Sequence, residues 1–237
     1  MKPFIRNGLL ITLGAALAGA AISAATTGAL PQTGEFPVHW GADGSPDRWT
    51  DRAGAILYLW AMPAITLGIG LILAAVPFVD PRKDHIETGR RGYVAVWLAV
   101  MVLLTCVHGG VALQMMRGAD AADGSGGMVR WVIAATAVLM IVIGNYLPKT
   151  RSSYFFGIRT PWTLSSDTAW ERTHRVAGPL FMAAGALGLA GAFTLSGIWL
   201  ALQLSVLVIG AALISAVYSY FAWRNAPDRE HGTNLTV

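Results

Sequence analysis

Two stretches of the chain carry residue types that do chemistry, and each interrupts apolar sequence. In residues 144–179, GNYLPKTRSSYFFGIRTPWTLSSDTAWERTHRVAGP, the side chains of Asn145, Lys149, Arg151, Arg159, Arg172, His174 and Arg175 stand between two hydrophobic runs. Polar and basic groups at the edge of hydrocarbon are costly to misplace, so this block is a candidate functional site. Inside it, Gly157 allows an unusual backbone angle and Pro161 fixes one. Arg159, between them, can fork onto a carboxylate, a phosphate or several carbonyls. The segment reads as re-entrant or surface-hugging, held by Phe155, Phe156 and Trp162. Leu164-Ser165-Ser166-Asp167 reads as a helix start, with a serine cap and an acid in the first turn. That helix puts Trp170, His174 and Gly178 on one face and pairs Glu171 with Arg175 on the next. His174 is either a hydrogen-bonded interfacial histidine or a protonatable, ligand-contacting group.

The second stretch is 31–53. His39, Asp43, Asp47 and Asp51 fall within thirteen residues. Histidine and carboxylates at short spacing suit a divalent cation, with His39, Asp43 and Asp47 the candidate ligands. Three ligands at regular spacing are not evident, however, and no metal site is assigned. Gly41, Gly44 and Pro46 are turn formers, and Asp beside Gly fixes turns through side chain to backbone bonds. Trp40 and Trp49 read as interfacial anchors. The expected product is a shaped surface carrying His39, Trp40, Gly44 and Asp47.

Both stretches resemble a known family. GNYLPK (with Asn145, Pro148 and Lys149), YFFGIRTPWTL (with Gly157, Arg159, Thr160, Pro161, Trp162 and Thr163) and W-x-x-THR-x-x-G (with Trp170, Thr173, His174 and Arg175) resemble the C-terminal signature of the SdpI family of bacterial membrane immunity proteins. Residues 36–47, FPVHWGADGSPD, resemble the P-x-H-W-x-x-x-G-x-x-D loop of a small membrane domain found at the N-terminus of many members. One departure stands out. Relatives commonly carry Pro-Asn before the Tyr-Phe pair, and here Ser152 and Ser153 stand there. The resemblance implies protection against a secreted antimicrobial peptide toxin met at the outer loop. It also implies ligand-dependent tethering of a small cytoplasmic repressor at the inner loop.

The elements that position these residues follow from composition. The chain has 237 residues, 54% hydrophobic and 13% charged, against about 25% charged in soluble domains. It reads as an all-α integral membrane protein, one polytopic domain over 1–237. Spans of about 20 apolar residues fall at roughly 8–30, 54–79, 92–116, 129–147, 176–196 and 199–223. They frame a structured outer loop (31–53) and a structured inner loop (148–175). An N-terminal part, 1–80, carries the His-Trp loop, a C-terminal part, 92–223, carries the signature, and 224–237 is a tail. Of seventeen Lys and Arg, only Arg48, Arg52, Arg117 and Arg130 fall in the outer set when the N-terminus is inside. This bias puts both termini in the cytoplasm, and the family resemblance implies that the membrane is a bacterial plasma membrane. Ser45 and Ser125 should then be reachable from outside and Ser152 from inside. Ser23-x-Ala25 also fits a signal cleavage site, but the apolar run continues to Leu30 and favours a retained helix.

The same composition narrows the chemistry. The basic excess marks cytoplasmic loops rather than direct nucleic-acid binding. The single cysteine, Cys106, allows no intrachain disulfide and no cysteine-based metal site. No cofactor motif is present, and no paired-histidine zinc, G-x-S-x-G or phosphate-cradling sequence, so a non-enzymatic role is expected. His108, Gln114, Asn145 and Gln203 are the strong polar residues at membrane depth. No Asp, Glu, Lys or Arg lies near a span centre, which lowers a transporter or lipid-binding permease reading. A membrane enzyme using His39 or His174 is the third reading.

Overall fold

The computed structural model describes residues 1–118 and 127–229. Six helices are long and apolar enough to cross a membrane. They are α1 (Pro3–Ala29), α2 (Arg52–Val79), α4 (Arg90–Arg117), α5 (Gly127–Tyr146, extended by a 3-10 turn at Leu147–Lys149), α7 (Asp167–Thr194) and α8 (Gly197–Arg224). Two short helices, α3 (Lys83–Thr88) and α6 (Pro161–Ser165), lie in the connections. A span of 28 residues such as α2 is about 42 Å long at 1.5 Å per residue, enough for a hydrocarbon core with some tilt. The chain is a multi-pass helical membrane protein, as its composition predicts. The labelling position Ser125 and most of the expected tail, from Glu230 on, lie outside the described residues.

The chain differs from the sequence reading in two places. The outer loop is not merely a loop. β1 (Phe36–Trp40) and β2 (Pro46–Thr50) form an antiparallel hairpin with Phe36 opposite Thr50 and Trp40 opposite Pro46. Its root is apolar: Phe36 is buried with Leu30, Leu59, Ala112 and Met115. Second, the helix expected to start at Leu164-Ser165-Ser166-Asp167 is continuous with the fifth span instead of ending within the inner loop 148–175. Ser166 accepts a hydrogen bond from the Ala169 amide at 2.9 Å and caps α7. The W-x-x-THR block therefore forms the opening turns of a spanning helix that starts at Asp167 rather than at 176.

The interior mixes large side chains such as Trp97, Met101, Trp170 and Leu200 with many small and polar residues, while large aliphatic side chains such as Leu17, Leu57, Ile72, Val206 and Leu213 are exposed on the outside. Lipid tails are as apolar as leucine, so helices associate through close packing and interhelical hydrogen bonds instead. Gly144 of α5 and Gly178 of α7 show the rule: a Cβ on either would meet the other's carbonyl oxygen within 2.8 Å. Gly185, Gly188 and Gly191 line the same face, against α5 and α8. Of the polar residues at depth, Gln203 donates to the Gly188 carbonyl at 3.2 Å. His108 meets the Ser23 hydroxyl at 3.3 Å, and Ser23 donates to the Leu59 carbonyl at 2.7 Å, tying α4, α1 and α2 together.

The helices fall into two groups of three. α1 packs on α2 and α4; α7 packs on α5 and α8; α4 and α5 form the seam. Successive spans alternate in direction. One end gathers the start of α1, α3, residues 150–166 and the close of α8, joined by Lys2–Glu87 (2.5 Å) and Ser166–Asp228 (2.6 Å). The opposite end carries the hairpin.

Candidate functional site

The 150–166 segment lacks regular ladder partners for much of its backbone, so its polar groups must be satisfied another way. They are satisfied by the signature side chains. Gly157 has φ +94°, a left-handed conformation that disfavours any Cβ. It passes directly over the stacked rings of Trp170 and His174, whose centroids are 4.0 Å apart. A Cβ on Gly157 would lie 2.3 Å from His174 Nε2. Beside it, the Ile158 amide donates to His174 Nε2 at 2.9 Å, while His174 Nδ1–H donates to the Trp170 carbonyl at 2.8 Å. This network fixes the neutral tautomer. Both ring nitrogens of His174 are engaged by backbone, and its exposure is 0%. The structure thus favours the hydrogen-bonded histidine over the ligand-contacting one. The Trp170 indole donates to the Thr150 carbonyl at 3.2 Å.

The next turn is closed by threonines. Thr160 and Thr163 form a reciprocal capping box over α6, with Pro161 at its first position. Thr163 is wholly buried, and its hydroxyl reaches the Ile158 carbonyl at 2.7 Å. The Thr160 hydroxyl bonds Ser219 of α8 at 2.9 Å. Trp162 packs edge-on to Tyr220, with centroids 5.4 Å apart. Thr173 is also wholly buried, and its hydroxyl has no partner among the described residues. Pro148 lies against Gly178.

A third group, missed in the sequence, latches this segment to the other three-helix group. Asp80, the C-cap of α2, is 2% exposed. Its carboxylate accepts from the Ser153 hydroxyl at 2.6 Å, the Tyr154 amide at 3.2 Å and the Arg82 amide at 2.7 Å. Arg82 donates to the Leu164 carbonyl at 2.9 Å and to the Ser152 hydroxyl, and His85 donates to the Ser152 carbonyl at 2.8 Å. The two serines that depart from the family pattern are therefore both buried and both bonded. Ser152 is correspondingly a poor labelling position. The tail closes the structure: Asp228 accepts from Ser166 at 2.6 Å and from the Thr168 amide at 3.1 Å. Partial burial pushes the Asp228 carboxyl up, but these hydrogen bonds outweigh it and hold the group below the usual carboxylate range.

The basic residues of the signature stay outside this network. Arg159 is exposed and makes one bond, to the Tyr154 carbonyl at 2.6 Å; no carboxylate is gathered into its fork among the described residues. Arg172 donates to the Asn225 carbonyl at 3.0 Å. Glu171 pairs with Arg151 across the loop, not with Arg175 one turn on, because the loop folds back over the start of α7. Arg175 is exposed. Lys149 approaches Asn145 at 3.4 Å and sits over the Tyr146 ring at 4.9 Å. Phe156 packs on Tyr93 at 4.9 Å, whereas Phe155 is exposed.

At the hairpin end the acids are dispersed. Asp43 accepts from the Ser45 amide within the turn, and Asp51 caps α2 through the Gly54 amide. Among the described residues, His39 and Asp47 are the pair that bond each other, at 2.6 Å, both about half exposed. The turn rests on Gly44, at φ +88°. Among the described residues, no three His, Cys, Asp or Glu side chains are placed to share a metal ion. Trp40 is half-buried, with its indole nitrogen unpartnered.

Comparison with known proteins agrees with the resemblance read from the sequence. A sequence model of the SdpI/YfhL protein family matches residues 149–219, and one of a domain of unknown function (DUF1648) matches residues 14–67. The immunity protein SdpI of Bacillus subtilis (strain 168) is 30% identical over 87 residues, which cover 37% of this chain and 42% of that protein. The chain thus spans under half the length of that relative. No solved structure matches.

Proposed function

We propose that this chain is a membrane immunity protein that protects its cell from a secreted antimicrobial peptide. The match of residues 149–219 to the SdpI/YfhL family carries this reading. In it the hairpin faces outward, as the distribution of Lys and Arg favours, and His39, Trp40 and Asp47 form the face that meets the peptide. The opposite end is cytoplasmic. There the knot around His174 holds Arg159, Arg172 and Arg175 at the surface, where a small repressor with an acidic face would dock. Such docking needs a shaped cationic surface, and exposed guanidinium groups on a fixed backbone supply one.

The reading is tested by deleting the gene and challenging the cells with peptides secreted by their own strain and its neighbours. Sensitivity to at least one peptide, reversed by re-expression, is expected. Survival unchanged against every secreted peptide would remove the immunity reading and leave the protein to be sought among membrane receptors or permeases.

A further inference from the structure

The seam between the two three-helix groups is not closed at the signature end. Between the start of α4 and the end of α5 lies a cavity of 210 Å³, with walls that include Ile86, Tyr93, Val96, Ile143, Leu147 and Phe156. Gly89 and Gly92 also line it, and a Cβ on Gly92 would lie 3.2 Å from the Tyr146 ring. Its neighbour is polar. A recess of 560 Å³ shares Gly89, Gly92 and Tyr146 with the cavity and is otherwise lined by Thr88, Arg90, Arg91 and Lys149. A second recess, of 770 Å³, lies beyond Tyr146 and is again bordered by Arg90 and Arg91.

The cations at this mouth are spare. Arg91 is exposed and makes no ion pair among the described residues; Arg90 reaches only the Glu87 carbonyl at 3.5 Å. Lys149 has a long contact to Asn145 and lies over the Tyr146 ring, but makes no ion pair among the described residues. Two of the nearby acids are already taken, Glu87 by Lys2 and Glu171 by Arg151, and Asp84 on α3 pairs with none of the three cations. Three uncompensated charges and the free amides at the start of a 28-residue helix thus surround the entrance to an apolar slot. Their role in orienting the chain accounts for the charges. It does not account for the slot.

At the depth of these helix ends the surrounding medium is lipid headgroups and their first methylenes. A group that is anionic at one end and hydrocarbon at the other matches the site from both sides. We propose that the α4–α5 seam binds an anionic glycerophospholipid, with one acyl chain entering the slot beside Tyr93 and the phosphate lying among Arg90, Arg91 and Lys149. The site does not depend on the immunity reading or on which face is cytoplasmic. It would place a lipid against Phe156 and Gly157, and so against the knot.

The full chain is purified in mild detergent and examined by native mass spectrometry with phosphatidylglycerol and phosphatidylcholine of identical acyl chains. Preferential retention of phosphatidylglycerol is expected, at about one per chain. Each of the substitutions Arg90→Gln, Arg91→Gln and Lys149→Gln should lower that preference by about five-fold before screening. The triple variant should treat both lipids alike. All three sites are on the surface, so folding should be retained. Val96→Phe, which narrows the slot, should reduce retention of both lipids. Glycerol phosphate, the headgroup without chains, should not displace the bound lipid. Equal retention of the two lipids by the wild type, or an undiminished preference in the triple variant, would overturn the proposal. Displacement by glycerol phosphate would overturn it too, marking a small-anion site instead.

Discussion

At the hairpin end, His39 and Asp47 bond each other in the open, and Asp43 and Asp51 serve only their own turns. At the opposite end, Asp80, Ser153, Thr163 and His174 bond across α2, α6, α7 and the backbone between them, and all four are buried. The polar side chains of the first region remain available to a ligand. Those of the second are consumed in holding a segment that has no ladder partners. The signature is accordingly two things: buried residues that fix a shape, and exposed arginines that the shape presents. Loss of the first kind should damage the protein itself. Loss of the second should damage only what it does.

The sharpest way to break this contrast is at Gly157. Gly157→Val should cost about 1–3 kcal/mol in backbone strain alone, and its side chain would also displace His174. Loss of monodisperse protein in size-exclusion chromatography is expected; normal yield would show that the knot is not structural. Asp80→Ala leaves the Ser153 hydroxyl and two amides without their acceptor. A loss of roughly 3 kcal/mol is expected, read as a lower thermal midpoint, and an unshifted midpoint would remove the latch. Arg159→Lys should leave yield and melting unchanged while protection falls about ten-fold, since a lysine cannot reproduce a planar fork; full protection would reduce Arg159 to a topology charge. His39→Ala should change stability least, by about 0.5 kcal/mol or less, as exposed ion pairs contribute little. Its effect should appear instead in survival against an external peptide, and wild-type survival in both His39→Ala and Trp40→Ala would make the hairpin only a turn. In a Cys106→Ala background, Ala42→Cys should label from outside sealed cells and Thr88→Cys only after permeabilisation, a pattern whose reversal would exchange the roles of the two ends.

Span number, the break at residues 31–53 and a serine cap before Asp167 were legible because they depend on local signals: apolar length, turn formers, a serine before an acid. The common face of Trp170, His174 and Gly178 was legible for the same reason, since helical periodicity alone places them together. The hairpin was not, because its strands are only five residues each and are held by Phe36 packing in a cluster with the distant Leu59, Ala112 and Met115. The latch was not either. Asp80, Arg82 and His85 read as the ordinary polar edge of a span, and their partners lie about seventy to eighty residues on. Nothing local separates a charge that orients a helix from one that bonds a distant loop. The partner of Glu171 was misjudged for a related reason: Arg175 is one turn away in sequence, but Arg151 arrives by the fold.

α2 is capped at its start by Asp51, the residue after the hairpin, and at its close by Asp80, which grips Ser153 and Tyr154. One continuous rod is therefore clamped by a carboxylate at either tip, with the two polar regions as its terminals. A pressure on the hairpin need not be relayed from side chain to side chain across the bilayer. It would arrive at the far tip as a displacement of the rod, reduced by whatever bending occurs at Pro63 and Pro77, where backbone hydrogen bonds are missing.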